Sequence, residues 1–244
     1  MTRALVLGAT SGIAERVMRG LAERGDARLY LVARDPARLA AVAADLRVRG
    51  ADVHERVADL DDVGGHRALV AEADAALGGI ELAIAAQGIL GDPAEYDVDG
   101  DAAARILVAN AVGPISVLTE VATAMERRGS GVIVGFSSVA GDRGRASNAA
   151  YGAAKAAFTA FLSGQRARLS RRGVHVLTVK PGPTDTAMTA GLSGRRLASP
   201  DVVARDVLRA IDRRRDVLYT PWPWRFVMAV VRAIPERWFK RITF

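Results

Sequence analysis

The sequence predicts an α/β domain, a single doubly wound parallel sheet with helices on both faces. Three observations predict it. Short, near-continuous apolar runs recur along the chain, amphipathic stretches of helical length separate them, and a glycine-rich turn joins the first run to the first stretch. The 244 residues, half of them apolar, fill one such domain and leave too little for two.

The first strand is Ala4-Leu5-Val6-Leu7, with glycine directly after it. Residues 13–24 read as a helix closed by Gly25, and Leu29-Tyr30-Leu31-Val32 as the second strand. Pro36, at a first helical position, opens a helix that runs to Arg49 and stops at Gly50. Strands at 53–57 and 82–86 bracket a helix at 63–77. A long helix at 102–128 leads to Val132-Ile133-Val134-Gly135-Phe136, and a helix at 149–172 to a strand at 174–179 that Pro181-Gly182 stops. A helix at 202–214 and a short strand, Val217-Leu218-Tyr219, complete the sheet. No linker, repeat or low-complexity stretch intervenes, so residues 1–221 read as one domain and 222–244 as a tail.

There is no cysteine, which excludes disulfides and thiolate metal sites and leaves redox work to a bound cofactor. His54, His66 and His175 lie far apart without metal spacing and read as ordinary surface or loop residues. The chain starts without a charged leader or a cleavage site, so a cytoplasmic protein is expected. The net charge of +7 comes from arginines scattered along the whole length, 31 against three lysines, and solvated helix faces explain it better than nucleic acid does. A chain that so avoids lysine keeps Lys155, Lys180 and Lys240 for a reason.

The turn Gly8-Ala9-Thr10-Ser11-Gly12-Ile13-Ala14 sits between the first strand and the first helix. There the backbone can approach a pyrophosphate, whose charge rests at the helix N-terminus. Gly8, Thr10, Ser11, Gly12 and Ile13 are the expected phosphate cradle; a glycine turn with no ligand is the alternative. A carboxylate at the end of the second strand selects NAD by bonding the ribose 2′-hydroxyl. Here Ala33 takes that place and Arg34 follows, so the 2′-phosphate of NADP(H) is favoured over NAD(H). Asp35 is expected to cap the helix at Pro36, and Asp59 to accept from the adenine amino group.

Tyr151-Gly152-Ala153-Ala154-Lys155 puts a phenol and an ammonium four residues apart on one helical face. A phenol of pKa about 10 is a poor acid near neutrality, and a neighbouring ammonium is expected to pull it down. Lysine suits this task better than arginine, because a compact head must also reach the ribose hydroxyls. Ser138 follows the fifth strand at its carboxyl end, where such sheets bind ligands, and its hydroxyl can donate to a carbonyl oxygen held at Tyr151. A surface Tyr–Lys pair and a serine helix cap are the plain alternatives.

Taken in order, residues 8–14, Asn110-Ala111-Val112-Gly113, Ser137-Ser138-Val139-Ala140-Gly141, the Tyr151 and Lys155 pair and Pro181-Gly182-Pro183-Thr184-Asp185-Thr186 resemble the short-chain dehydrogenases/reductases, from residue 4 to about 220. The resemblance implies a Rossmann-type fold and an NAD(P)(H)-dependent oxidoreductase acting on a ketone or secondary alcohol. It implies that Ser138 positions the carbonyl, that Tyr151 is the acid–base, and that Asn110 holds a water in a proton relay ending at Lys155. Thr186 and the backbone near Thr184 would grip the nicotinamide carboxamide, while Leu60, Gly88, Pro181 and Gly182, with Tyr151 and Lys155, would line the cofactor. A homodimer or homotetramer built through the two long helices is implied as well. The chain departs from the pattern in two places. Leu7 and Ala14 stand where the family has threonine and its third glycine, and Ala85-Ala86-Gln87-Gly88 replaces its Asn-Asn-Ala-Gly. The family's threonine ties the turn to that asparagine stretch; losing both partners of a buried hydrogen bond is nearly neutral, so catalysis is expected to survive.

Residues 219–244 hold seven of the thirteen aromatics, including all three tryptophans. Phe226, Val227, Val230, Val231 and Ile234 fall on one helical face with Arg225 and Arg232 away from it, and Trp238, Phe239 and Ile242 repeat the scheme beside Arg237, Lys240 and Arg241. The longest uncharged run, 226–231, is six residues and cannot span a bilayer. Such a segment suits peripheral association with an anionic membrane; a subunit contact and a lid over the active site are the other readings. The tail, with Gly88-Ile89-Leu90-Gly91-Asp92 and Gly141-Asp142-Arg143-Gly144-Arg145, is similar to one member group, the mycobacterial decaprenylphosphoryl-2-keto-erythropentose reductases. That similarity implies a lipid-linked keto-sugar, with Arg143, Arg145, Arg195 and Arg196 facing its phosphate. The leading expectation is thus an NADPH-dependent reductase of a lipid-linked or membrane-associated ketone. A reductase of soluble ketones or 3-oxoacyl groups stands second, and a nucleotide-sensing protein without turnover third. The intact Asn110, Ser138, Tyr151 and Lys155 speak against the last.

Overall fold

The structure, a computed structural model, describes residues 2–190 and 197–242. Its strands are β1 (Thr2–Leu7), β2 (Ala27–Ala33), β3 (Asp52–Val57), β4 (Leu82–Ala85), β5 (Gly131–Phe136), β6 (Val174–Pro181) and β7 (Val217–Thr220). They form one parallel sheet in the order β3-β2-β1-β4-β5-β6-β7. The helices are α1 (Gly12–Glu23), α2 (Pro36–Val48), α3 (His66–Leu77), α4 (Pro93–Tyr96), α5 (Gly100–Leu107), α6 (Gly113–Arg128), α7 (Ala149–Leu169), α8 (Pro200–Asp212), α9 (Trp224–Ala233) and α10 (Glu236–Phe239).

The residues of β1 show why the sheet is covered on both sides. Ala4, Leu5, Val6 and Leu7 are all fully buried. Ala4 and Val6 belong to the core under α1, α2 and α8, whereas Leu5 and Leu7 belong to the core under α3, α6 and α7. A strand with two dry faces has no polar face to alternate with, hence its unbroken apolar run. Strand order reverses at β1, and sheets of this kind take ligands at the carboxyl ends of the strands beside such a reversal.

Three sequence expectations need correction. The single helix at 102–128 is interrupted: α5 gives way to a π turn at Val108–Val112 before α6 begins. The wider turn sets Asn110 inward, where its amide donates to the carbonyls of Ile106 at 3.0 Å and Ile89 at 2.8 Å. His66 is no surface residue; it is buried with Nδ1 2.9 Å from Ser116 Oγ, and burial pushes its pKa down. The apolar face predicted for the tail divides in two. Met228 and Val231, three apart, turn inward with Phe239 onto Val139, and Ile234 packs beside them. Phe226, Val227 and Val230 point outward, with Phe226 61 % and Val230 65 % exposed. Among the described residues no group of His, Asp and Glu is placed to hold a metal ion.

Candidate active site

Gly8 shapes the cofactor cradle. Its φ of +79° turns the chain at the end of β1, and a Cβ there would lie 2.5 Å from the Gln87 nitrogen, so only glycine lets the two strand ends meet. Ser11 precedes α1 without capping it through its side chain, which leaves the first-turn N–H groups, those of Gly12 and Ile13 among them, open to an anion. Thr186 faces the cradle from the loop after β6: a methyl on Gly12 would stand 3.3 Å from its Cγ2. That loop braces itself, with buried Thr184 donating to the Gly182 carbonyl at 3.0 Å and Thr186 capping Ala187–Thr189. Where the family carries polar side chains, Leu7 and Ala85 are buried register partners, and the Ala86 N–H donates to the Leu7 carbonyl at 2.9 Å.

At the end of β2, Arg34 is 59 % exposed and only 3.9 Å from Asp61, a loose pair that an incoming anion can break. Burial and Asp59 push the Asp61 carboxyl up against the pull of Arg34, which weakens the pair further. Asp35 caps α2, accepting from the N–H groups of Ala37 and Arg38. Sequence reasoning overlooked Arg38, whose guanidinium donates to the Thr10 carbonyl at 2.8 Å and so spans from α2 to the cradle. Its signal was its place, in the first turn of the helix that follows Arg34. Asp59 accepts from the Asp61 N–H with one oxygen, and Leu60 is buried beside Gly113.

Ser138 opens a short 3-10 turn, Val139–Asp142, and its Oγ accepts from the Ala140 N–H at 3.1 Å. The same side chain pulls the Tyr151 phenol pKa down, so the capping and the functional readings describe one residue. Ser137 fastens this region to α7, donating to the Lys155 carbonyl at 3.0 Å and lying 2.6 Å from Thr159 Oγ1. Tyr151 and Lys155 are both buried on one face of α7, with Nζ 5.8 Å from the phenol ring centre and 3.1 Å from the Phe136 carbonyl it donates to. Gly88, at φ +151°, leaves room that a side chain would take: a Cβ there would collide with Asn110 Oδ1 and stand 3.3 Å from Lys155 Nζ. Asn110, Lys155, Tyr151 and Ser138 therefore form one run of neighbours.

Electrostatics depart from the expected picture. Burial pushes the Tyr151 phenol up to about 12, with Ser138 pulling down and Tyr96 adding to the rise. Burial also brings the Lys155 ammonium down to about 8. Desolvation outweighs the pairing because the ammonium bonds a backbone carbonyl and not the phenol. Tyr96 was also overlooked; it is 5 % exposed and packs with Tyr151, Ala140 and Ile106. Its hydroxyl, Asn110 Oδ1 and both ends of the Gln87 amide are buried without a partner. Such groups cost about 1–3 kcal/mol each, and several around one cleft fit a polar ligand such as a nicotinamide dinucleotide.

Two arginines assigned to a substrate phosphate are engaged elsewhere. Arg143 donates to the Val231 carbonyl at 2.7 Å, to the Ile234 carbonyl and to Glu236 at 2.8 Å, and stacks 3.7 Å over the Phe239 ring. Arg145 reaches toward the Val139 carbonyl and Met228 Sδ. Arg195, Arg196 and Phe244 lie outside the described residues.

A dinucleotide cradle at the first strand–helix junction, with a phenol, an ammonium and a hydroxyl gathered at the carboxyl ends of the strands, defines an NAD(P)-dependent oxidoreductase. The sequence profile of the short chain dehydrogenases matches residues 2–196, and the chain belongs to the short-chain dehydrogenase/reductase family. It is 38 % identical over 240 residues to an uncharacterized oxidoreductase of Mycobacterium tuberculosis, covering 98 % of this chain and 96 % of that one. An uncharacterized oxidoreductase of Streptomyces coelicolor is 32 % identical over 238 residues, covering 98 % and 94 %. Among solved structures, a short-chain dehydrogenase from Sphingobium yanoikuyae in complex with NADPH superposes with a TM-score of 0.83 at 28 % identity over 97 % of both chains.

Proposed function

We propose that this oxidoreductase is an NADPH-dependent reductase of a ketone carried on a lipid, such as a polyprenyl-phosphate keto-sugar, or otherwise held at an anionic membrane on its cytoplasmic side. The observation that carries the reading is the outer face of the tail. Trp222, Phe226, Val227, Val230, Trp238 and Ile242 are exposed together with Arg225, Arg232, Arg237, Lys240 and Arg241. Bare aromatics ringed by cations are costly in water and suited to a lipid headgroup layer. The tail bearing them rests its inner residues Met228, Val231 and Phe239 on Val139, next to Ser138, so a membrane on the outer face would lie near the catalytic turn. Arg34 and Arg38 favour the 2′-phosphate of NADPH, and no carboxylate occupies the place at Ala33.

When bound, the reduced nicotinamide supplies the hydride. Ser138 and Tyr151 donate to the carbonyl oxygen and stabilise the negative charge that grows on it. Tyr151 then gives its proton to that oxygen, and Lys155, as ammonium, stabilises the phenolate left behind. Asn110, with its free Oδ1 beside Gly88, helps return a proton toward Lys155 through solvent. A phenol held near 12 stays protonated throughout the neutral range and is therefore a proton donor, as reduction requires.

Flotation with vesicles tests the membrane reading. The protein should float with phosphatidylglycerol vesicles at low salt, partly so at high salt, and hardly with phosphatidylcholine. Each basic residue near an anionic surface contributes about 1 kcal/mol, and the aromatic burial persists in salt. Phe226→Glu/Val230→Glu, on the outer face only, should abolish flotation without lowering the melting temperature. Equal flotation of that variant would sink the idea and leave a reductase of soluble ketones or 3-oxoacyl groups.

A further inference from the structure

Lys180 has no part in the chemistry above, although the chain keeps only three lysines. It is the last residue but one of β6, next to Pro181 and Gly182, and its register partner on β7 is Tyr219, so the two side chains leave the sheet together. Both converge on Asp142, the last residue of the turn that Ser138 opens. Lys180 Nζ donates to one carboxylate oxygen and the Tyr219 hydroxyl donates to the other at 2.7 Å. The ammonium also lies 5.4 Å from the Tyr219 ring centre. The charged pair is shut away from water, with the Asp142 side chain 2 % and the Lys180 side chain 8 % exposed, while Tyr219 is partly buried. Burial, and then Asp142, push the Tyr219 phenol up, so it remains a donor.

The neighbouring residue extends the arrangement into the tail. Arg143 holds the carbonyls that end α9, and Val139 packs beneath Met228, Val231 and Phe239. On the far side Trp224 lies so close over Gly182 that a Cβ there would overlap its indole. The serine turn and the loop after β6 are thus joined to each other by Asp142–Lys180 and covered by one tail.

We infer that Asp142, Lys180 and Tyr219 are positioning residues, a buried charged clasp that fixes the Ser138 turn against the Pro181–Gly182 loop. The inference rests on the reading of Ser138 as the residue that holds the carbonyl. Apolar packing alone would tolerate sliding of a four-residue turn. Two directional hydrogen bonds from adjacent strands to the two oxygens of one carboxylate set its place within a few tenths of an ångström. Nothing in the membrane reading requires the clasp.

The test separates placement from folding. A buried charge cluster can often be replaced by apolar groups of like size without loss of stability, whereas removing one partner strands a charge. Asp142→Leu/Lys180→Met/Tyr219→Phe should therefore melt within a few degrees of wild type. Amide hydrogen exchange should nonetheless run at least tenfold faster over 138–143, with β1 and α1 unchanged. NADPH oxidation with 9,10-phenanthrenequinone as probe ketone should lose about tenfold in kcat, while NADPH affinity measured by fluorescence stays near wild type. Tyr219→Phe alone, which strands no charge, should move both readings the same way by a smaller factor. Wild-type exchange over 138–143 in the triple variant would overturn the clasp. Fast exchange with unchanged kcat would overturn its bearing on Ser138. Neither result depends on vesicles, so the clasp and the membrane reading can fail separately.

Discussion

Burial sets the chemistry of individual residues here, and Lys155 makes the point with a sign that can be checked. Its ammonium sits at about 8, lowered by desolvation, and the Tyr151 phenol at about 12, raised by it. Reduction needs the phenol protonated and the lysine charged, so kcat/KM should be flat through neutrality and fall above about pH 8. A pH–rate profile checks this, and Lys155→Arg should remove the falling limb while lowering the rate severely. The same shift acts on stability in the opposite sense. Between about 8 and the ordinary lysine pKa the unfolded chain holds a proton the folded one has lost, so the free protein gains stability as pH rises through that window. Arg34 gives a second prediction. A charge-assisted contact is worth about 1.5–3 kcal/mol, and the lower end applies to a side chain this exposed. Arg34→Ala should weaken NADPH about tenfold and leave NADH untouched in fluorescence titration; equal losses would assign Arg34 to folding.

At the scale of elements, the sequence carried the strands and the cradle clearly and the tail only in part. Four apolar residues in a row, 4–7, read as a strand with two dry faces, and the glycine after them as a turn. The π turn at Val108–Val112 left no trace in the 3.6-residue period, because one extra residue shifts the pattern less than the scatter of apolar side chains does. The tail misled for a related reason. Its apolar arc on α9 is wide, running from Phe226 round to Met228, so periodicity could not say which part of the arc is covered, and only contact with Val139 decides. Arg143 looked like a ligand for an anion because sequence shows a charge and not its partners. Ending the chain after Pro221 tests what the tail does. Neither large core cluster contains a tail residue, so the sheet should still fold by circular dichroism. With Met228, Val231 and Phe239 gone from Val139, and Trp224 from Gly182, turnover should be lost and the melting temperature lowered by several degrees. Wild-type turnover by the shortened chain would show that the tail lies outside the working site.

Across the whole molecule, the sheet order places the dinucleotide strands on one side of β1 and the chemical groups on the other, with the tail closing the chemical half. The serine turn precedes the tail that covers it, and the carboxylate that Arg143 engages on α10 lies 93 residues further along the chain. Synthesis proceeds at about 5–20 residues per second, so the ribosome needs roughly 5–20 s to reach that point after laying down the serine turn. During that interval the nascent chain can pair its first strands and even gather a nucleotide, yet the turn that must hold a ketone has no cover. The serine turn therefore gains its cover late in synthesis, only once residues 224–239 have been made.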